Sequence, residues 1–346
     1  SQNDVSCQIL DGLPSSPAPE QICARHPDDL AWLFYTSGTT GKPKGVMITH
    51  NLLMVMAIGY WGDVDQVNGT DSAIYAAPLS HGAGLYHLMH VRAGARHVCP
   101  RSGGFDPAEI VDLAAHYGDA HLFAAPTMVT RMTAHARASG AAGAGLRTVV
   151  YAGGPMYLAD ILDARDTFGD IFVQIYGQGE CPMAITALRR DVIADDTHPN
   201  WRARLASVGR AQSAVELRIG DETGQGLRAG AVGEVMVRGA TVMPGYWRNP
   251  EATKNTLREG WLMTGDLGSL DAAGYLTLHD RSKDVIITGG SNVYPREVEE
   301  VLLLAPGVTE VSVIGRAHSD WGEEVVACVV GTASQEALDA VCRAHI

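Results

Sequence analysis

The densest chemistry in the sequence is the run Thr36-Ser37-Gly38-Thr39-Thr40-Gly41-Lys42-Pro43-Lys44-Gly45. Hydroxyls and backbone N–H groups donate hydrogen bonds to phosphate oxygens, and lysine adds a compact positive charge. The glycines let the backbone close on a ligand. This is the composition of a loop that holds a polyphosphate. It is not the common P-loop, which has four residues between glycine and Gly-Lys, followed by Ser or Thr. Here two residues separate Gly38 from Gly41-Lys42, and Pro43 follows. A solvated glycine-rich hairpin is the plain alternative, and the density of hydroxyls and lysines argues against it.

Other stretches carry compatible chemistry. In Tyr176-Gly177-Gln178-Gly179-Glu180 the tyrosine offers a flat face for a purine, and the glycines leave room for it. Glu180 suits Mg2+, which takes a few carboxylate oxygens together with phosphates and water. Asp266, closing Trp261-Leu262-Met263-Thr264-Gly265-Asp266, can accept from two hydroxyls at once. A zinc site from His81, His87 and His90 lacks a cysteine or carboxylate partner at ligand spacing. Cys181 reads as a small packed side chain.

On these residues the sequence resembles the adenylate-forming superfamily of acyl-CoA synthetases, luciferases and peptide-synthetase adenylation domains. The segment Gly289-Gly290-Ser291-Asn292-Val293-Tyr294-Pro295-Arg296-Glu297-Val298-Glu299 is similar to the acyl-CoA synthetase form. The resemblance runs from about Leu30 to the C-terminus. It implies that a carboxylate attacks the α-phosphorus of ATP to give an acyl-adenylate and pyrophosphate. The thiol of coenzyme A then displaces AMP, with no covalent enzyme intermediate. Its readings for ATP and AMP contacts are Thr36, Ser37, Gly38, Thr39, Thr40, Gly41 and Lys44; Gly153, Gly154 and Pro155; Tyr176, Gly177, Gln178 and Gly179; and Asp266 and Arg281. It assigns Mg2+ to Glu180 and catalysis to Thr36, Lys44, His81 and Glu180. It implies an acyl pocket at His81, Gly82, Ala152, Gln174 and Ile175, a hinge at Lys283, and a coenzyme A tunnel past Gly289 and Gly290. Two positions depart from the pattern. Gly179 stands where relatives have a threonine that reaches the α-phosphate, and Asp280 stands where they have glycine before Arg281.

The elements that must position these groups follow from periodicity. The apolar runs on either side of the first loop, Leu30 to Tyr35 and Val46 to Ile48, read as buried strands. Thr49 or Asn51 caps a helix to Tyr60, and Asp106-Pro107-Ala108-Glu109 opens another. From Ser72 to Tyr176 strands and helices alternate, which predicts βαβ units on a mainly parallel sheet with ligands at strand carboxyl ends. From about residue 205, alternating strands and glycine turns predict an antiparallel, barrel-like portion. The fold class is therefore α/β: a large domain of βαβ sheets with a barrel-like antiparallel portion, then a smaller, incomplete α+β C-terminal domain. The resemblance divides the chain into a large AMP-binding domain over 1–280, a hinge over 281–283 and a partial C-terminal domain over 284–346.

The 346 residues are 46% hydrophobic and carry a formal net charge of −13, which argues against nucleic acids and acidic membranes as partners. No apolar run approaches the roughly 18 residues of a membrane span. Six cysteines without paired spacing read as reduced thiols in the cytoplasm. The resemblance fits fatty acid metabolism among other acid-activating roles. The partners it implies are a small carboxylic acid and coenzyme A, and a homodimer is left open. Competing readings are an adenylation module or acyl-AMP ligase that loads a carrier protein, and a catalytically impaired nucleotide-binding protein. Relatives carry a further stretch before the phosphate loop and a late lysine that bridges acid and ATP. The chain is therefore expected to be a fragment that adenylates poorly yet binds nucleotide.

Overall fold

A computed structural model describes residues 23–36, 43–141 and 143–345. Strands β1 (Leu30–Thr36) and β2 (Lys44–Thr49) pair antiparallel, with Thr36 opposite Lys44. The sequence predicts both as buried, and only β2 is. Val46 and Ile48 are fully enclosed, whereas Leu30 is 40% and Tyr35 59% exposed. The ribbon has just two strands, so the outer edge of β1 has no neighbouring strand among the described residues. Thr49 accepts from the Leu52 N–H and starts the helix His50–Gly59, as its type predicts.

The central sheet has seven strands: β3 (Ser72–Ile74), β4 (Arg96–Val98), β5 (Ala120–Ala124), β6 (Leu146–Tyr151), β7 (Phe172–Gln178), β8 (Cys181–Leu188) and β9 (Arg210–Ala211). Their order is β4-β3-β5-β6-β7-β8-β9. The first five are parallel and joined by helices, including Pro107–Tyr117, Pro126–Ser139 and Leu158–Phe168. Asp106 accepts from the Glu109 N–H as an N-cap. Glu109 does not reach back to Asp106; its carboxylate accepts from Arg101 and Ser102 instead. Both faces of the sheet are covered, which is why its strands read as continuous apolar runs. Along β6, Val149 and Tyr151 join one core with Ile110, Ile161 and Phe172, while Val150 and Ala152 join the other with Leu52, Met89 and Ile175.

The sequence reading stops at Tyr176 and misses β8. This fully buried strand turns back antiparallel on β7, so Gly179 and Glu180 form a two-residue hairpin turn. It also misses a buried ionic cluster. Asp71, 1% exposed, takes Arg147 Nη1 at 2.8 Å on both oxygens, His121 Nε2 at 3.0 Å and the Asn68 N–H at 2.8 Å.

Five further strands, β10 (Val215–Gly220), β11 (Gly233–Gly239), β12 (Leu257–Arg258), β13 (Trp261–Leu270) and β14 (Leu276–Arg281), form the antiparallel portion. It closes over Ile219, Val235, Val237, Leu262 and Leu276. The smaller C-terminal part holds β15 (Ile286–Thr288), β16 (Ser291–Val293), β17 (Val308–His318) and β18 (Gly322–Gly331), with helices Pro295–Leu302 and Gln335–His345. Its core of Ile286, Leu302 and Val313 is separate from the others. Among the described residues, three hydrogen bonds and a His279–Tyr294 ring contact at 5.5 Å join it to the large part. Tyr157 Oη donates to Glu299 at 2.8 Å, the Arg296 N–H to Asp280 at 3.3 Å, and Arg296 Nη1 to the Leu278 carbonyl at 3.3 Å. Among the described residues no helix is long and apolar enough to cross a membrane.

Candidate nucleotide and acid site

A cavity of about 700 Å³ opens between the large and C-terminal parts, within the range of small-molecule sites. It gathers many of the predicted contacts: Gly153, Gly154 and Pro155 beyond β6, Gln174 through Gln178 on β7, and Asp266, Arg281 and Lys283. Gly177 is required by close packing, since a Cβ there would lie 2.5 Å from the Met183 nitrogen across the hairpin. On the cavity wall Tyr176 Oη donates to Asp266 Oδ2 at 2.5 Å, and Arg281 Nε lies 3.4 Å from Asp266 Oδ1. Burial raises the Asp266 carboxyl pKa, against the opposing pull of Tyr176 and Arg281. Burial, reinforced by the charge of Asp266, holds the Tyr176 phenol well above its usual value, so it stays a donor.

At the other end of the β7–β8 hairpin lies a second cluster. A Cβ on Gly179 would sit 2.4 Å from Thr36 Cγ2 and 3.2 Å from Phe34 Cδ1, so the turn packs directly on the end of β1. Glu180 Oε1 accepts from Tyr246 Oη at 2.5 Å, and Lys44 Nζ lies 5.1 Å from the centre of the Tyr246 ring. Tyr246 is held there because its segment bridges to β2: Met47 and Trp247 exchange backbone hydrogen bonds with Gly245 and Gly45. His81 stands edge-on to Phe34 at 6.2 Å and pairs with Ser80 Oγ at 3.0 Å. Thr36, Lys44, His81 and Glu180 thus converge, and the hairpin links them to Tyr176 and Asp266. Ser37, Gly38, Thr39, Thr40 and Gly41 lie outside the described residues.

The predicted acyl-pocket residues divide. Gln174 and Ile175 line the main cavity. Ala152 is buried with Ile175 in the same core, and Gly82 opens a short helix beside Phe123 and Met183. Met183, which the sequence reading passes over, sits in the left-handed region at φ 60 inside a strand, with its sulfur 3.3 Å from a Cβ built on Gly82. Gly289 and Gly290 stand apart from the cavity: they make the exposed β15–β16 turn at φ 57 and 82. Asp280 is not a loose linker residue. It lies on β14, and its two oxygens accept from the Arg281 and Arg296 N–H groups, the latter at the start of a helix. Burial pushes the Cys181 thiol up to about 12, which suits packing and not attack. Among the described residues no three His, Cys, Asp or Glu side chains gather as a metal cage.

Tyr246 as the partner of Glu180 was also missed. Sixty-six positions separate the two, and neither flank marks the pairing.

Comparison with known proteins identifies the family. A family model described as AMP-binding enzyme matches residues 3–247, and one described as AMP-binding enzyme C-terminal domain matches 297–346. A medium/long-chain-fatty-acid–CoA ligase of Mycobacterium tuberculosis is 36% identical over 318 residues, 91% of this chain and 53% of that protein. A feruloyl-CoA synthase of an Amycolatopsis species is 36% identical over 305 residues, 88% of this chain and 60% of the relative. Among solved structures, an amide bond synthetase of Marinactinospora thermotolerans superposes with a TM-score of 0.85 at 33% identity, covering 96% of this chain and 66% of that one. The chain thus spans between about half and two-thirds of the length of these relatives.

Proposed function

The chain belongs to the AMP-binding enzyme family, and from that premise we propose that it serves ATP-dependent activation of a carboxylic acid to an acyl-adenylate, followed by transfer to coenzyme A. One observation carries this reading. The β7–β8 hairpin has Tyr176, bonded to Asp266, at one end and Glu180, beside Thr36 and Lys44, at the other. A nucleotide laid along the hairpin meets a ribose acceptor and a phosphate-binding group in the right order.

In this reading Asp266 accepts from the ribose hydroxyls with Arg281 beside it, and the Gly153–Pro155 turn and Tyr176 border the base. Thr36 and Lys44 donate to the phosphates, where two anions must meet, so fixed positive and N–H groups lower the barrier. Glu180 fits Mg2+ as a single half-buried carboxylate, as that ion usually needs when phosphates complete its shell. When bound, Mg2+ would neutralise charge on the phosphates. His81, Gly82, Ala152, Gln174 and Ile175 border the acid. Lys283, in the turn after β14, is the pivot about which the C-terminal part reorients, carrying Gly289 and Gly290 toward the incoming thiol.

The test is calorimetric titration with AMP and ATP, then pyrophosphate release over a panel of carboxylic acids, with AMP release followed with and without coenzyme A. Nucleotide binding is expected, and whatever pyrophosphate release occurs should depend on the acid and whatever AMP release occurs on coenzyme A. A chain that binds neither AMP nor ATP overturns the reading.

A further inference from the structure

Behind Gly82, between the helix His87–Ala93 and strands β5 and β6, lies a small cavity of about 20 Å³, room for one oxygen atom with its hydrogen. Three side chains in its wall are almost wholly buried: Tyr86 (5% exposed), His90 (5%) and His121 (3%). Each carries one polar atom with no partner: Tyr86 Oη, His90 Nε2 and His121 Nδ1. Buried polar atoms without partners are rare and costly, so three around one cavity call for an explanation.

The proton positions on both imidazoles follow from their other contacts. His121 Nε2 faces the Asp71 carboxylate at 3.0 Å, already paired with Arg147. A carboxylate only accepts, so Nε2 carries the hydrogen and Nδ1 presents a lone pair. His90 Nδ1 faces the Tyr86 carbonyl at 2.7 Å, so it carries the hydrogen and Nε2 presents a lone pair. Burial keeps both rings neutral, lowering His90 to about 4 and His121 in the same direction. The cavity therefore offers two acceptors and one phenolic donor. A neutral O–H fits, donating to an imidazole and accepting from Tyr86. A carboxylate or sulfonate meets two lone pairs and does not.

The cavity is continuous with the acid site in its walls. Val150, which lines it, shares a face of β6 with Ala152. Phe123, which also lines it, stands 3.4 Å from a Cβ built on Gly82. Ala83, next to Gly82 in the chain, also lines it.

From this geometry we infer that Tyr86, His90 and His121 form a specificity site for a distal hydroxyl on the carboxylic acid substrate, selecting hydroxylated acids over deoxy and dicarboxylic ones. The inference rests on the acid-adenylating reading above. A trapped water, with two hydrogens to donate, satisfies all three atoms where a hydroxyl satisfies two, and the test separates them.

The probes are acyl-sulfamoyl adenosines of stepped acyl length, each made with a distal hydrogen, hydroxyl or carboxylate, titrated calorimetrically into the whole chain alongside AMP. At the matching length the hydroxyl compound should bind about tenfold tighter than its deoxy counterpart, and the carboxylate compound weakest. Tyr86→Phe should reduce the hydroxyl advantage to about twofold and leave AMP affinity unchanged. His90→Phe, which keeps an aromatic ring and removes the acceptor, is the second variant should Tyr86→Phe fold poorly. Equal binding of hydroxyl and deoxy compounds at every length, with AMP bound normally, leaves water as the only occupant and overturns the inference while the function stands. Failure of AMP and of every mimic to bind overturns the function itself.

Discussion

Replacing Gly179 by alanine places a methyl group 2.4 Å from Thr36 Cγ2 and 3.2 Å from Phe34 Cδ1. Carbon atoms in contact prefer about 3.5–4.0 Å, so one neighbour must move by roughly an ångström. Thr36 is β-branched and stiff about χ1, so turning its methyl away also moves its hydroxyl. Overpacking of this kind costs about 1–3 kcal/mol. The double variant with Thr36→Ser removes Cγ2 and keeps the hydroxyl, leaving only Phe34 a few tenths of an ångström too close. The cost of Gly179→Ala should then fall below about 1 kcal/mol, a coupling of about 1–2 kcal/mol between the two positions. Urea unfolding of the four proteins in the cycle measures it. AMP titration of the same set should show a loss of up to about tenfold for Gly179→Ala alone, at 1.4 kcal/mol per decade, and partial recovery in the double variant. An equal cost of Gly179→Ala in both backgrounds, within about 0.5 kcal/mol, refutes the contact. The same clash explains why the threonine of relatives would not be accommodated here without moving Thr36.

Asp266→Asn should stabilise the ligand-free chain near neutral pH. Burial raises the Asp266 pKa, so its contribution to stability is fully present below the unfolded value of about 3.9 and is lost as pH rises through the folded one. The variant's advantage in thermal melts should therefore shrink toward acid pH, and an advantage independent of pH refutes the assignment. The same variant should bind AMP about tenfold more weakly if Asp266 holds the ribose. Tyr246→Phe removes the donor to Glu180 Oε1; calorimetry should show a several-fold loss for Mg-ATP with AMP binding unchanged, and equal losses for both would point to misfolding. Arg147→Met leaves Asp71 buried without its cation and should cost about 3–5 kcal/mol in urea unfolding; a loss under 1 kcal/mol would mean His121 and Asn68 suffice.

Local signals in the sequence led to the right places. Thr49 and Asp106 each cap the helix that follows, because capping depends on side chains within three residues. The strands β5 and β6 were legible because each is an apolar run with a helix after it. The reading failed where a long-range partner decides. The run from Cys181 to Leu188 has no periodicity to distinguish strand from buried helix, and only its return along β7 fixes it. Tyr35 and Leu30 look like core residues by type, yet burial of β1 depends on what lies at its outer edge. The Asp71–Arg147–His121 cluster joins residues 50 and 76 positions apart, and no local pattern announces it. For the proposed site, residue types pointed to Thr36, Glu180, Tyr176 and Asp266, and the coordinates supplied what links them, a hairpin with Tyr246 against its tip.

The seam between the large and C-terminal parts consists of Tyr157 on Glu299 and Arg296 on Asp280 and Leu278. Neutral and singly charged hydrogen bonds of this kind contribute about 0.5–3 kcal/mol each, and among the described residues no hydrophobic cluster straddles the divide. Separation therefore wets mainly polar groups that water can satisfy and parts the His279 and Tyr294 rings, whose centres lie 5.5 Å apart. The C-terminal part can lift off and settle again at little cost, like a catch and not a weld. Asp280 on β14 accepts from the Arg296 N–H of the C-terminal part, so replacing it should change how readily the proposed catch opens.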